Sequence, residues 1–164
     1  MTNRPPSPSG PLSGVRVLSL CLNLPGPAAL MRLRALGARC TKLEHPSQPD
    51  PMLAYCPTAY RAMHQGIGLV HADLKSVGGQ QRLERELQRC DLLLTSFRPS
   101  ALKKLGLGWP QLHRRWPQLS QVAIVGATGE HWQADGLQLL MSGDNQQLVI
   151  PEYGAPVHIT QQRK

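Results

Sequence analysis

Hydrophobic positions along this chain fall into short continuous runs separated by segments of helical period. Val15–Leu20, VRVLSL, is rich in β-branched and aliphatic residues and predicts a short buried strand. The next segment, NLPGPAALMRLRALGA, opens on Pro25 and Gly26 and places Leu30, Leu33 and Leu36 at the spacing of one helix face, with Gly37 closing it. RCTKLE, from Arg39 to Glu44, predicts a second strand, so the chain begins with a strand-helix-strand unit and a right-handed crossover. His45 to Gln65 holds no sustained period and reads as a long connection with a short helix around Ala59 to His64.

GLVHADL then predicts a strand, and GGQQRLERELQRC a helix with Leu83 and Leu87 on one face. DLLLTSF follows as a strand, SALKKLGL as a helix, WPQLHRRWP as a short helix bounded by prolines, and LSQVAIVGA as a last strand. This alternation predicts an α/β fold: a Rossmann-like, open, mostly parallel sheet with flanking helices. Residues 1–13 are too rich in Pro and Ser to pack and predict a disordered lead-in, with the sheet domain spanning 14–127. The remainder, 128–164, reads as irregular or partly helical, with DGLQLLM as a helix of two turns, and the sheet domain looks incomplete.

Charge sharpens the picture. Against 10 Asp and Glu the chain carries 18 Lys and Arg, a formal charge of +8, which favours anionic partners. Aromatic residues make up only 4%, with one Phe, so platforms for stacking bases are scarce, and the basic residues form no tract. A phosphorylated ligand accounts for the charge better than nucleic acid does. Cys21, Cys40, Cys56 and Cys90 are widely spaced without a Cys-x-x-Cys pair, which argues for reduced, mostly buried thiols and against zinc or a disulfide framework. MTNRPPSPSGPLSG lacks the apolar core of a signal peptide, and no apolar run approaches a membrane span, so a cytoplasmic protein with no membrane partner is expected.

One corner concentrates chemistry. DLLLTSFRPSALKKLGLGW takes a leucine-rich strand through Ser96-Phe97-Arg98-Pro99 into a helix bearing Lys103 and Lys104. Polar groups, backbone donors and positive charge converge there, as an anionic ligand requires.

Several segments, in this order, resemble the class III CoA-transferase family, which includes formyl-CoA and carnitine CoA-transferases and methylacyl-CoA racemases. PLSGVRVLSL resembles the family's opening strand, and LPGPAALMRLRALGARCTKLE its Ala-Gly-Pro turn, following helix and Val-x-Lys-x-Glu strand. ADLKSVGGQQRLERELQRCDLLLTSFRPSALKKLGLGWPQL is similar to the stretch from Leu-Asp-Leu-Lys through Asn-Phe-Arg-Pro to Leu-Gly-Leu. The resemblance covers only the front part of the family's chain. It implies coenzyme A or an acyl-CoA as substrate with no permanently bound cofactor, and a carboxylic acid as acceptor. It also implies a homodimer or a complementary subunit.

Residue by residue, the resemblance places Ser96, Phe97, Arg98 and Lys104 beside CoA, with Ser96 at the family's Asn position. Asn23, Leu24, Pro25, Gly26 and Pro27 form the opposite wall, and Lys42, Lys75 and Arg39 are further basic candidates. Each has an ordinary alternative: Phe97 as core, the basic residues as solvated surface, the Pro-Gly-Pro turn as a plain strand-to-helix connection. The family's nucleophilic aspartate precedes a glycine by eight residues, and Asp135 stands at that spacing from Gly143, although Ala134 and Gly136 depart from the motif. The missing His beside Asp135 argues against racemase chemistry, with His131 the nearest in sequence. CoA transfer through an aspartyl mixed anhydride is the leading expectation. A truncated, inactive relative that binds CoA or docks a subunit is the alternative, and nucleic-acid binding the weakest.

Overall fold

The computed structural model describes residues 10–125 and 138–142. Among these residues six strands form one sheet in the order β3-β2-β1-β4-β5-β6. Five of them, β1 (Arg16–Ser19), β2 (Arg39–Glu44), β3 (Gly68–His71), β4 (Leu92–Thr95) and β5 (Ser120–Val125), run parallel. The sixth, β6 (Gln138–Ser142), pairs antiparallel with β5, Ala123 opposite Leu140. Here the expected helix in DGLQLLM is corrected to a strand. A run as short as Leu139-Leu140-Met141 carries no period that separates helix from strand, and the open edge of β5 supplies the pairing.

Helices α1 (Pro25–Ala35), α2 (Met52–Tyr55), α3 (Pro57–Met63), α4 (Val77–Leu87), α5 (Pro99–Lys104) and α6 (Trp109–Arg115) connect the strands. The connection between β2 and β3 is therefore more helical than its proline content suggests. Pro57 is tolerated because it opens α3, where its missing N–H has no partner to lose.

Alternation along each strand sorts the core into two layers. Val17, Cys40 and Leu94 face a layer with Leu30 of α1, while Leu18, Leu43 and Leu93 face one with Leu83 and Leu87 of α4, Leu102 of α5 and Leu112 of α6. Strands buried on both faces read as nearly continuous apolar runs, as VRVLSL and DLLL do. Packing begins ahead of Gly14: the Leu12 amide donates to the Leu36 carbonyl at 2.9 Å, and Leu12 packs beside α1's layer. At the amino edge, Arg16 reaches Asp91 through both its backbone amide and its guanidinium, 2.8 and 2.9 Å, which locks the starts of β1 and β4 together. The guanidinium's hydrogen bond holds the Asp91 carboxyl below its ordinary range.

This order has a functional consequence. From β1 the chain steps outward through β2 to β3, then crosses back to place β4 on β1's other side. The direction of winding reverses between β1 and β4, and open α/β sheets bind ligands in the crevice that such a reversal leaves at the carboxyl ends of the strands.

Candidate functional site

Two bends meet at that reversal. One leaves β1 through Leu20–Leu24 into α1; the other leaves β4 through Ser96–Arg98 into α5. They are joined directly, the Leu22 amide donating to Ser96 Oγ at 3.1 Å. Phe97 is half-buried against the α4–α6 layer, and its amide donates to Thr95 Oγ1 at 3.2 Å. Arg98, which precedes α5, is exposed.

The first bend offers few donors. Leu20 N–H donates to the Leu94 carbonyl, Cys21 N–H to Ser19 Oγ, Leu22 N–H to Ser96 Oγ and Asn23 N–H to Asp50 Oδ1, at 2.8 to 3.2 Å. Beyond them, Pro25 and Pro27 have no N–H to give. Gly26 is fixed by close approach: a Cβ there would stand 2.2 Å from that of Cys21. Leu24, 51% exposed, leaves an apolar wall at this corner. Such a surface suits a ring or a carbon-rich chain, and it leaves any phosphate to the cations.

Of the candidate cations, Arg98 follows the carboxyl end of β4 and Lys75 that of β3. Lys75 is exposed in the loop after β3, its amide donating to Asp73 Oδ1 at 2.9 Å, while Asp73 lies 3.5 Å from His45 Nε2. Two strand spacings separate the ends of β3 and β1, roughly 10 Å, a distance that a long lysine side chain spans in large part. Lys104 is exposed at the carboxyl end of α5, about 8 Å along the helix axis from Pro99. Arg39 is corrected outright: it begins β2 and so lies at the amino edge, across the sheet from the reversal.

Lys42 is corrected too, and more instructively. Alternate residues of β2 share a face, so Lys42 and Glu44 both turn toward α3, whose Tyr60 and His64 stand one turn apart. The Lys42 side chain is 0% exposed. Its ammonium donates to Asp50 Oδ2, to Glu44 Oε1 at 2.8 Å and to His64 Nε2 at 3.1 Å, so three protons meet three acceptors. The His64 tautomer follows: Nδ1 lies 2.7 Å from the Tyr60 carbonyl and must carry the proton, which leaves the Nε2 lone pair for Lys42.

The remaining polar atoms close the network. Tyr60 donates its hydroxyl to Glu44 at 2.8 Å, and burial together with that carboxylate pushes the phenol up. Burial holds the His64 imidazole below its ordinary range, assisted by the Lys42 charge and against the raising effect of the Tyr60 carbonyl. Burial raises the Asp50 carboxyl, but hydrogen bonds from Lys42, Met52 and Asn23 more than offset this and leave it lowered.

Asp50 does not read as special in sequence, and Lys42 reads only as a ligand candidate, not as the centre of a buried network. One signal was available: a charged residue in the middle of a strand covered on both faces has to be paired, and Glu44 lies two residues on. Cys21, at the base of the first bend, is no nucleophile near neutral pH, since burial pushes its thiol up to about 12. Among the described residues no group of three or more His, Cys, Asp or Glu is arranged to hold a metal. Asp135, with Gly143 and His131, lies outside the described residues.

Known proteins resemble this chain in sequence and in fold. Residues 12–143 match CoA-transferase family III. Over 132 residues the chain is 33% identical to the succinyl-CoA–D-citramalate CoA-transferase of Chloroflexus aurantiacus, covering 76% of this chain and 32% of that protein. A probable fatty acyl-CoA transferase of Mycobacterium tuberculosis is 32% identical over 84% of this chain and 38% of its own length. A crystal structure of a protein from Mycobacterium tuberculosis superposes with a TM-score of 0.67 at 33% identity, covering 76% of this chain and 36% of that one. The chain thus spans about a third of the length of the relatives it matches. Its sequence match and its doubly wound sheet agree: this chain belongs to CoA-transferase family III.

Proposed function

We propose that this chain supplies the coenzyme A-binding part of a CoA-transferase that moves CoA between an acyl-CoA and a carboxylic acid. The observation that carries the reading is the junction of the two bends at the sheet's reversal, Leu22 N–H on Ser96 Oγ, with cations arrayed around an apolar corner. Leu24 and Pro25 line one side for the carbon-rich part of the coenzyme, with Phe97 opposite. Arg98, Lys75 and Lys104 serve its phosphates as flexible or forked cations.

For the reaction itself, Asp135 is the nucleophile. Its carboxylate oxygen attacks the thioester carbonyl, the carbon–sulfur bond breaks, and CoA thiolate leaves an aspartyl mixed anhydride. The thiolate then attacks the Asp135 carbonyl carbon to give aspartyl-CoA and release the donor acid as its carboxylate. The acceptor carboxylate attacks aspartyl-CoA to form a second anhydride, and returning thiolate completes the transfer while freeing Asp135. Covalent catalysis of this kind divides one hard exchange into easier steps.

A second reading draws on the same two bends at the sheet's reversal: a CoA-binding or subunit-docking module without catalysis of its own. Both readings are proposed for a cytoplasmic protein. Among the described residues no helix is long and apolar enough to cross a membrane. Calorimetric titration with CoA tests the shared core, and absence of binding ends both. Transfer of label from an acyl-CoA to a free carboxylate separates them. Activity abolished in Asp135→Asn supports the enzyme, whereas binding without transfer supports the module.

A further inference from the structure

We propose that Asp50, anchored by Lys42, is a positioning residue that sets the Leu22–Asn23 bend for ligand binding. The inference concerns the shape of that bend, and its consequence for affinity rests on the CoA reading above.

Three observations carry it. Asn23 has φ of +61°, a left-handed conformation that residues other than glycine adopt at a cost, Asn less reluctantly than most. Its amide is captured by Asp50 Oδ1 at 2.9 Å, and the same oxygen takes the Met52 amide at 2.9 Å, so one atom ties the first bend to α2. The other oxygen, Oδ2, belongs to Lys42, whose remaining protons go to Glu44 and His64. Asp50 is thereby restrained at both oxygens, and its side chain is 0% exposed.

The arrangement exceeds what core stability needs. An apolar residue would fill the same volume without burying charge, and replacing a buried ion pair by hydrophobic side chains is often neutral or stabilising. What an apolar residue would not supply is an acceptor that turns the Asn23 amide inward. Ser96 does the same for the neighbouring Leu22 amide, from the opposite side of the bend. Between them the two side chains fix the left-handed turn and keep its donors away from the rim.

Asp50→Ala and Asp50→Asn separate the elements. Asn retains an Oδ1 acceptor for the Asn23 and Met52 amides but turns an amino group toward the Lys42 ammonium, so it keeps the capture and loses the anchor. Amide exchange followed residue by residue by NMR on the full chain, together with CoA titration, reads both. In Asp50→Ala the Asn23 amide should exchange at least about tenfold faster and the CoA Kd rise by about tenfold, the scale of one lost hydrogen bond to a charged group. Asp50→Asn should leave Asn23 closer to wild-type protection, with a Kd between the other two.

Wild-type exchange at Asn23 in Asp50→Ala would overturn the positioning role. Faster exchange with unchanged Kd would overturn its link to the ligand. If Asp50→Ala does not fold, Asp50→Asn decides: wild-type Kd with the Lys42 anchor lost counts against the proposal. A wild-type chain that binds no CoA defeats the functional reading alone, since the exchange measurement still tests the bend.

Discussion

Lys42 and Lys75 are the same residue type at neighbouring strands of one sheet, and they live in opposite worlds. Lys42 lies within β2, flanked by β1 and β3 and covered by α3; water never reaches it, and every proton on its ammonium has a protein acceptor. Lys75 lies past the end of β3 and is exposed. A cation inside a parallel strand organises the protein, whereas one beyond a strand's carboxyl end is available to a ligand. Formal charge of +8 does not distinguish them, but topology does.

The sharpest way to break this comparison is Lys42→Met. It leaves Asp50 and Glu44 buried without a counter-charge and should cost about 3–5 kcal/mol, read as a lower urea midpoint. An unchanged midpoint would show that the ammonium does not hold the carboxylates. Next comes Gly26→Ala, whose new Cβ collides with Cys21; overpacking of that kind costs about 1–3 kcal/mol. Gly78→Ala is its control. Within α4, a Cβ at Gly78 meets nothing within 4 Å, so this change should stabilise by about 0.5–1 kcal/mol.

A smaller effect is expected from pH. His64 is faced by Lys42 and Glu44 from β2, by Asp50 from the following loop and by Tyr60 from α3. Its folded pKa is lowered, so between that value and the ordinary 6.5 the unfolded chain binds more protons, and stability rises with pH across the window. Acidification below 6.5 should therefore lower the unfolding midpoint, and His64→Gln should flatten that slope. A slope unchanged by the substitution would assign the pH response to other groups. Smallest of all, Lys75→Ala and Lys104→Ala should shift stability by less than about 0.5 kcal/mol. Both should nevertheless weaken CoA binding and reduce its salt dependence, which calorimetry at two ionic strengths would show.

The same contrast explains what was legible in sequence. Runs such as VRVLSL and DLLLTSF announce strands because a parallel sheet is buried on both faces, and Leu83 with Leu87 announces α4 because four residues make about one turn. The bend at Ser96 was visible as a break between a leucine run and a helix. Its bond to Leu22 was not, since the partners are 74 residues apart. The network around Lys42 was hidden for the same reason: of its acceptors, Asp50 is 8 residues away and His64 is 22, brought together only when β2 is laid under α3. At the other end, Leu139 to Met141 misled toward a helix because three apolar residues carry no period, and a neighbour's open edge decided the outcome.

The cysteines give the molecule a practical handle. Cys21, Cys40 and Cys90 are buried, and burial pushes their thiols up to about 12, 11 and 12 respectively. Cys56 is only half-buried, at the joint between α2 and α3. An alkylating dye applied near neutral pH will therefore attach first at Cys56, one turn ahead of Tyr60, where its emission can follow the start of the helix that covers the lysine without any engineered residue.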